Sequence, residues 1–136
     1  GNQVNANYAD VAERFAADEV YEAGTVVELG GAHEITKVTS DLSDKVFGVI
    51  STRAAYLMNS SAGSDETHPP VAMTGRVPVK VTGSIRKGDR LVSSDIPGVA
   101  QALNPTLYNP GCIIGKALEN YNSNQVGTIE VVVGRL

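Results

Sequence analysis

Along most of the chain, apolar residues fall at every second position or gather in short Val-rich runs, which is the spacing of strands rather than helices. Residues 25–29 read as a strand, Gly30-Gly31 as a tight hairpin turn with positive φ, and residues 34–39 as the return strand. The polar–apolar alternation of that return strand predicts one wet face. A polar loop over 41–45 leads into an apolar strand over 46–52. The stretch 71–82 predicts a strand pair, with Pro78 at an edge or bulge because proline cannot donate to a ladder. Further strands are expected over 90–93, 99–102, 113–119 and 128–133, with a two-proline loop over 104–110.

One segment departs from this pattern. In Asn7-Tyr8-Ala9-Asp10-Val11-Ala12-Glu13-Arg14-Phe15, the apolar Val11, Ala12 and Phe15 stand at helical spacing. They predict one short helix over 7–17, docked through Phe15 onto a β core of residues 18–136. Residues 1–6 read as the remnant of an upstream linker. The initial Gly, where Met would start a chain, predicts a fragment of a longer polypeptide.

The two halves look alike. Glu22-Ala23-Gly24-Thr25-Val26-Val27 returns as Arg86-Lys87-Gly88-Asp89-Arg90-Leu91, and each half holds a strand with an internal glycine, Phe47-Gly48-Val49 and Ile114-Gly115-Lys116. The expected fold class is therefore mainly β: a single compact β-barrel or clip-like domain with one N-terminal helix and two related hairpin halves about a local two-fold.

Composition narrows the picture. At 136 residues and 42% hydrophobic the chain can bury a core of its own, but aromatics make up only 5% and Trp is absent, so that core must be Val, Ile, Leu and Ala. A net charge of −4 with scattered Lys and Arg speaks against a nucleic-acid partner. Arg86-Lys87 with Arg90 is the only small basic cluster and reads as a solvated turn. No apolar run reaches membrane-spanning length, so no membrane insertion is expected. The single Cys112 cannot form an internal disulfide, and its apolar setting reads as a buried structural thiol.

Candidate chemistry centres on Asp10 and Glu13. On a helix both carboxylates would lie on the first turn. There they either cap the helix, as in a capping box, or form an acid–base pair acting on the adjacent main-chain amide. Arg76 could pair with either and keep both ionised. Lys80 is a candidate general base, or a side chain whose stem crosses a Val-rich face to reach water. Ser51, Ser93 and Ser94 have no histidine near them in sequence. His33 and His68 lie in different loops without metal-ligand spacing, and no phosphate-cradling glycine motif occurs, so neither a metal nor a cofactor is expected. Residues 59–70 are almost entirely Ser, Asn, Gly, Asp, Thr and Pro. They predict an exposed interaction loop with Asn59, Ser64, Asp65, Glu66 and His68 as contact residues. Val131-Val132-Val133 offers an apolar inter-chain surface.

The ordered set Tyr8-Ala9-Asp10-Val11-Ala12-Glu13-Arg14-Phe15, Glu22 to Val27, Phe47-Gly48-Val49-Ile50-Ser51, Gly75 to Lys80 and Lys87 to Val92 resembles the C-terminal domains of bacteriophage tail fibres and neck appendages. In particular it is similar to the self-cleaving intramolecular-chaperone family. The resemblance spans residues 7–119. It implies a virion structural module, made in the host cytoplasm, that trimerises and helps fold a fibre or appendage alongside other virion proteins. It also implies that Asp10 and Glu13 stand beside a cleaved bond. The alternatives are a self-cleaving chaperone using that pair, and a capsid-decorating or receptor-binding module presenting the 59–70 loop to the host surface.

Overall fold

The computed structural model describes residues 9–107 and 109–134. It holds ten strands: β1 (Asp10–Arg14), β2 (Val26–Leu29), β3 (Ile35–Lys37), β4 (Val46–Ile50), β5 (Tyr56–Met58), β6 (Pro70–Ile85), β7 (Arg90–Ser93), β8 (Ala100–Ala102), β9 (Gly115–Ala117) and β10 (Tyr121–Val133). Two 3-10 turns, Pro105–Leu107 and Pro110–Cys112, occupy the two-proline loop and its end.

The long strands β6 and β10 form the spine, paired antiparallel from Gly75↔Val133 to Ile85↔Tyr121. Alternation sets Val77 opposite Val131 and Val79 opposite Ile129, all four buried, while Arg76, Pro78 and Lys80 face Val132, Glu130 and Thr128 across the other side of the ladder. From β10 the sheet continues through β9, β7 and β8, and β8 returns to β6 by the parallel pair Val81↔Ala100. Five strands thus close a barrel. So few strands enclose little space, and Val, Ala, Ile and Leu side chains fill it, among them Val81, Leu91, Ala100, Ile114, Ala117 and Val131. The Val-rich, Trp-free composition follows from that narrow bore.

The start of β6 lies outside the barrel, with β1 along one side and β4 joined at Ala72 and Val71. β2 and β3 extend the sheet from β4, and β5 runs parallel to β1. A second core fills this flank: Ala17, Tyr21, Val27, Ile35, Ile50 and Val71, with Phe15 and Phe47 packed against it. Their rings meet edge to face at 4.8 Å.

Pro78 is accommodated by position. Arg76 N–H donates to Ala9 O at 3.2 Å and Lys80 N–H to Gly24 O at 3.0 Å, so the nitrogens of alternate residues face the edge away from β10. The Pro78 nitrogen falls between them on that edge, after the β1 ladder and before Val81, where no ladder bond is lost.

Four sequence expectations are corrected. The helix over 7–17 is replaced, among its described residues, by strand β1, because β5 and β6 satisfy its backbone from both sides. A helix of that length is marginal by itself. Residues 1–8, which include the expected linker remnant and the first two positions of that helix, lie outside the described residues. The stretch expected as a strand pair over 71–82 is one continuous strand, β6. The two halves are not equivalent hairpin units: β7 lies between β8 and β9 as β2 lies between β3 and β4, but the first trio closes the barrel and the second stays outside it. Finally, Val131 and Val133 point into the barrel core, which leaves only Val132 of that triplet facing outward.

Candidate functional site

Strand geometry, not helix geometry, decides what Asp10 and Glu13 can do. Alternation along β1 buries Asp10 and Ala12 and turns Val11 and Glu13 to the other, half-buried face. The two carboxylates therefore do not share a face, which corrects the expected acidic pair. Asp10 is fully buried, and neither carboxylate oxygen has a hydrogen-bond partner among the described residues. Burial pushes its carboxyl above the ordinary value, and the Ser51 hydroxyl and the N–H groups of Asp10 and Ala55, near the carboxylate but not hydrogen-bonded to it, offset only part of that rise. The Ala55 N–H is spent on the Asp10 carbonyl, at 3.0 Å.

The position is clamped by backbone. Gly75, opposite Asp10 in the ladder, has φ +103, and a Cβ there would stand 2.8 Å from Asp10 Cα and 2.3 Å from Ala9 O. Ser51 is also buried, its N–H bonded to Pro70 O at 2.9 Å. It lines a crevice of about 230 Å³ with Ala23, Gly24, Arg53 and Pro78.

A raised carboxyl pKa has a definite sign. Below the unfolded value, about pH 4 for Asp, both states are protonated and the contribution to stability is fully present. As pH rises towards the folded value the unfolded state ionises first, and stability is lost. Asp10→Asn cannot ionise. Its stability relative to the parent should therefore climb as pH is raised above about 4 and level off once the folded carboxyl ionises, read from urea midpoints at each pH. Parallel curves for the two proteins would show that Asp10 ionises as freely folded as unfolded.

The 59–70 loop is organised by a residue absent from the sequence expectations. The Arg14 guanidinium, on the last residue of β1, donates from Nη1 to Asp65 Oδ1 at 2.7 Å and to the His68 carbonyl at 2.8 Å, and from Nε to the Ser60 carbonyl at 3.0 Å. Asn59 Nδ2 returns a bond to the Arg14 carbonyl at 3.4 Å. Within the loop, His68 N–H donates to Ser64 O at 2.7 Å, and the Ser64 and Thr67 hydroxyls each accept a backbone N–H of the other residue at 3.2 Å. Asn59, Ser64, Asp65 and Glu66 are exposed and His68 half-buried, and the loop is pinned rather than loose. Arg14→Ala should cost about 1–3 kcal/mol, the range for removing charge-assisted bonds and stranding their acceptors. It should also speed amide exchange across 59–68. Arg14→Lys restores the charge without the fork and should recover only part. Unchanged exchange in the loop would remove Arg14 from this role.

The remaining candidates resolve into structural partnerships. Arg76 pairs with Glu130 at 3.7 Å, not with Asp10 or Glu13. Lys80 is held by Glu22, whose carboxyl this contact keeps below its usual range. Ser93 Oγ accepts the Ser43 N–H at 2.8 Å and donates to Ser40 O at 2.7 Å, and Ser94 Oγ donates to Val99 O at 2.6 Å. Cys112 is buried, its thiol on the Leu42 carbonyl at 3.0 Å, and burial raises its pKa. His33 and His68 both line a groove of about 470 Å³ with Asp18, Glu19, Val20 and Glu66. Among the described residues no three His, Cys, Asp or Glu stand where they could hold a metal.

Among the solved structures that share this fold are two from bacteriophage phi29. The C-terminal fragment of bacteriophage phi29 gene product 12 matches with a TM-score of 0.64 at 17% identity, over 91% of this chain and 99% of that one. The N base of the phi29 head fibre gp8.5 matches with a TM-score of 0.51 at 17% identity, over 90% of this chain and 92% of that one. No protein-family model matches the chain, and no curated protein does.

Proposed function

We propose that this chain is a structural domain of a bacteriophage virion and acts as the C-terminal trimerisation and folding module of a fibre or appendage. The observation that carries this reading is the likeness of fold, along at least 90% of the chain, to two phi29 proteins, one of them named as a head-fibre base. Fibre shafts built from non-local, intertwined strands fold slowly, and a compact terminal domain that brings three chains into register removes part of that entropy cost. Light scattering on the purified domain tests the association. The expected mass is that of a trimer, and a strict monomer at tens of micromolar defeats the module.

A second reading, self-cleavage at the Ala9–Asp10 bond, draws on the buried Asp10, whose carboxyl holds its proton more firmly than usual beside the Ser51 hydroxyl. With a water molecule adding to the Ala9 carbonyl carbon and leaving it as a carboxylate, the protonated carboxyl would donate its proton to the departing Asp10 amide nitrogen. Because Glu13 lies on the other face of β1, Asp10→Asn should stop cleavage of a chain carrying a longer upstream segment, whereas Glu13→Gln should not. A parent chain that stays intact for days, like Asp10→Asn, ends that reading.

A further inference from the structure

The turn entering β7 and the turn entering β10 come together at one end of the barrel and enclose an open groove of about 670 Å³, lined by Ser84, Ile85, Arg86, Lys87, Asn120, Tyr121 and Asn122. We propose that this groove binds an acidic glycan, that is, a carbohydrate chain carrying carboxylate groups; the proposal does not depend on the trimer reading above.

Charge is the first argument. The chain carries 15 acidic and 11 basic residues, and four of the described cations are matched: Arg14 with Asp65, Lys37 with Glu19, Arg76 with Glu130 and Lys80 with Glu22. Arg86 and Lys87 stand side by side, both exposed, and neither has a carboxylate partner among the described residues. The one carboxylate in that turn, Asp89, accepts the Arg86 N–H at 2.9 Å and serves the turn, not the guanidinium. Among the described residues no carboxylate lines the groove. An acidic protein thus presents a small cationic depression.

Rigidity is the second. Gly88 N–H donates to Ala117 O at 2.8 Å, Asp89 N–H to Arg86 O at 2.9 Å, and Lys87 N–H to Asn120 Oδ1 at 2.8 Å. The last bond orients the Asn120 amide and leaves its NH₂ donors for another partner. Ser84 and Asn122 sit directly opposite each other in the β6–β10 ladder, both exposed. The turn is therefore fixed before any ligand arrives, which lowers the cost of binding.

The donor set selects the ligand class. A guanidinium matches a carboxylate with two parallel bonds, an ammonium adds a point charge, and neutral amides and a hydroxyl both donate to and accept from sugar hydroxyls. A single-stranded nucleic acid would need free aromatic faces for base stacking. Tyr121 does not offer one: its hydroxyl donates to Gln125 O at 2.7 Å, and its ring lies within 2.6 Å of where a Cβ on Gly127 would stand.

Isothermal titration or NMR titration of the whole chain with trigalacturonate, maltotriose and a short oligothymidylate tests the assignment. Trigalacturonate should bind, more weakly as salt rises. Arg86→Gln with Lys87→Gln, an exposed pair whose replacement leaves the turn's backbone bonds in place, should weaken binding by about tenfold or more, with an unchanged melting temperature. No binding of trigalacturonate, equal binding of maltotriose, or no effect of the double substitution each overturns the site. Tighter binding of the oligothymidylate overturns the glycan and assigns the groove to nucleic acid.

Discussion

Gly115→Val is expected to cost more than about 4 kcal/mol, beyond the usual range for overpacking, enough to unfold most of a domain of ordinary stability. Gly115 opens β9 opposite Val133 in β10 and opposite Leu91 in β7. A Cβ at this position would lie 2.1 Å from Val132 O, 2.9 Å from Val132 C and 2.8 Å from Val133 Cα. All three are backbone atoms of a strand locked to β6 along most of its length, so they cannot yield as the tip of a side chain would. Either the β9–β10 ladder opens or the barrel loses its closure. Gly111→Ala is the control: among the described residues its Cβ would meet nothing nearer than Asn109 Oδ1 at 3.5 Å, and it should stay within about 0.5 kcal/mol of the parent. Urea unfolding followed by circular dichroism measures both. A Gly115→Val protein as stable as Gly111→Ala would mean that β9 does not approach β10 in this way.

That glycine also marks how far the sequence could be read. Phe47-Gly48-Val49 and Ile114-Gly115-Lys116 are visible as strands with a glycine inside, but what the glycines are for depends on which backbone comes close. At Gly48 it is the Ala72 carbonyl of β6, 2.4 Å from an added Cβ. The alternating Arg76-Val77-Pro78-Val79-Lys80 announces a strand with one buried face, and it is one. Its partner is legible only over 128–133. The preceding Asn122-Ser123-Asn124-Gln125 carries no apolar face because both of its sides meet water or the bulge between Ser123 and Gly127.

The N-terminal segment misleads for a different reason. Val11, Ala12 and Phe15 satisfy a helical period by themselves, and nothing nearby in sequence announces that β5 and β6 will supply a ladder on each side. The same distance hides the Arg14 hub, whose partners Ser60, Asp65 and His68 lie 46, 51 and 54 residues away. Reading Asp10 to Arg14 at a period of two would have placed Asp10, Ala12 and Arg14 on one face. It would not have identified that face as buried.

Leu91→Ala should cost about 2–5 kcal/mol, in the upper part of that range. Leu91 is completely buried in the barrel, and its ladder neighbours are small on both sides, Ala102 across β8 and Gly115 across β9. The leucine fills the space these residues leave. Its own backbone is fixed, since Leu91 O accepts the Ile114 N–H at 2.8 Å and the flanking Arg90 O accepts the Leu103 N–H at 2.8 Å. A closed ring of strands cannot collapse onto a lost side chain as an open sheet can, so most of the vacated volume persists and its cost is felt in full. Leu29→Ala, at the half-exposed end of β2, removes the same atoms from a site that water already reaches, and should cost about 0.5 kcal/mol. Both are to be compared at one fixed protein concentration, because association of copies adds to apparent stability by mass action. Equal losses at the two leucines would show that the barrel interior is not closed around Leu91; a gap of several kcal/mol locates the domain's stability in the ring of β6, β10, β9, β7 and β8.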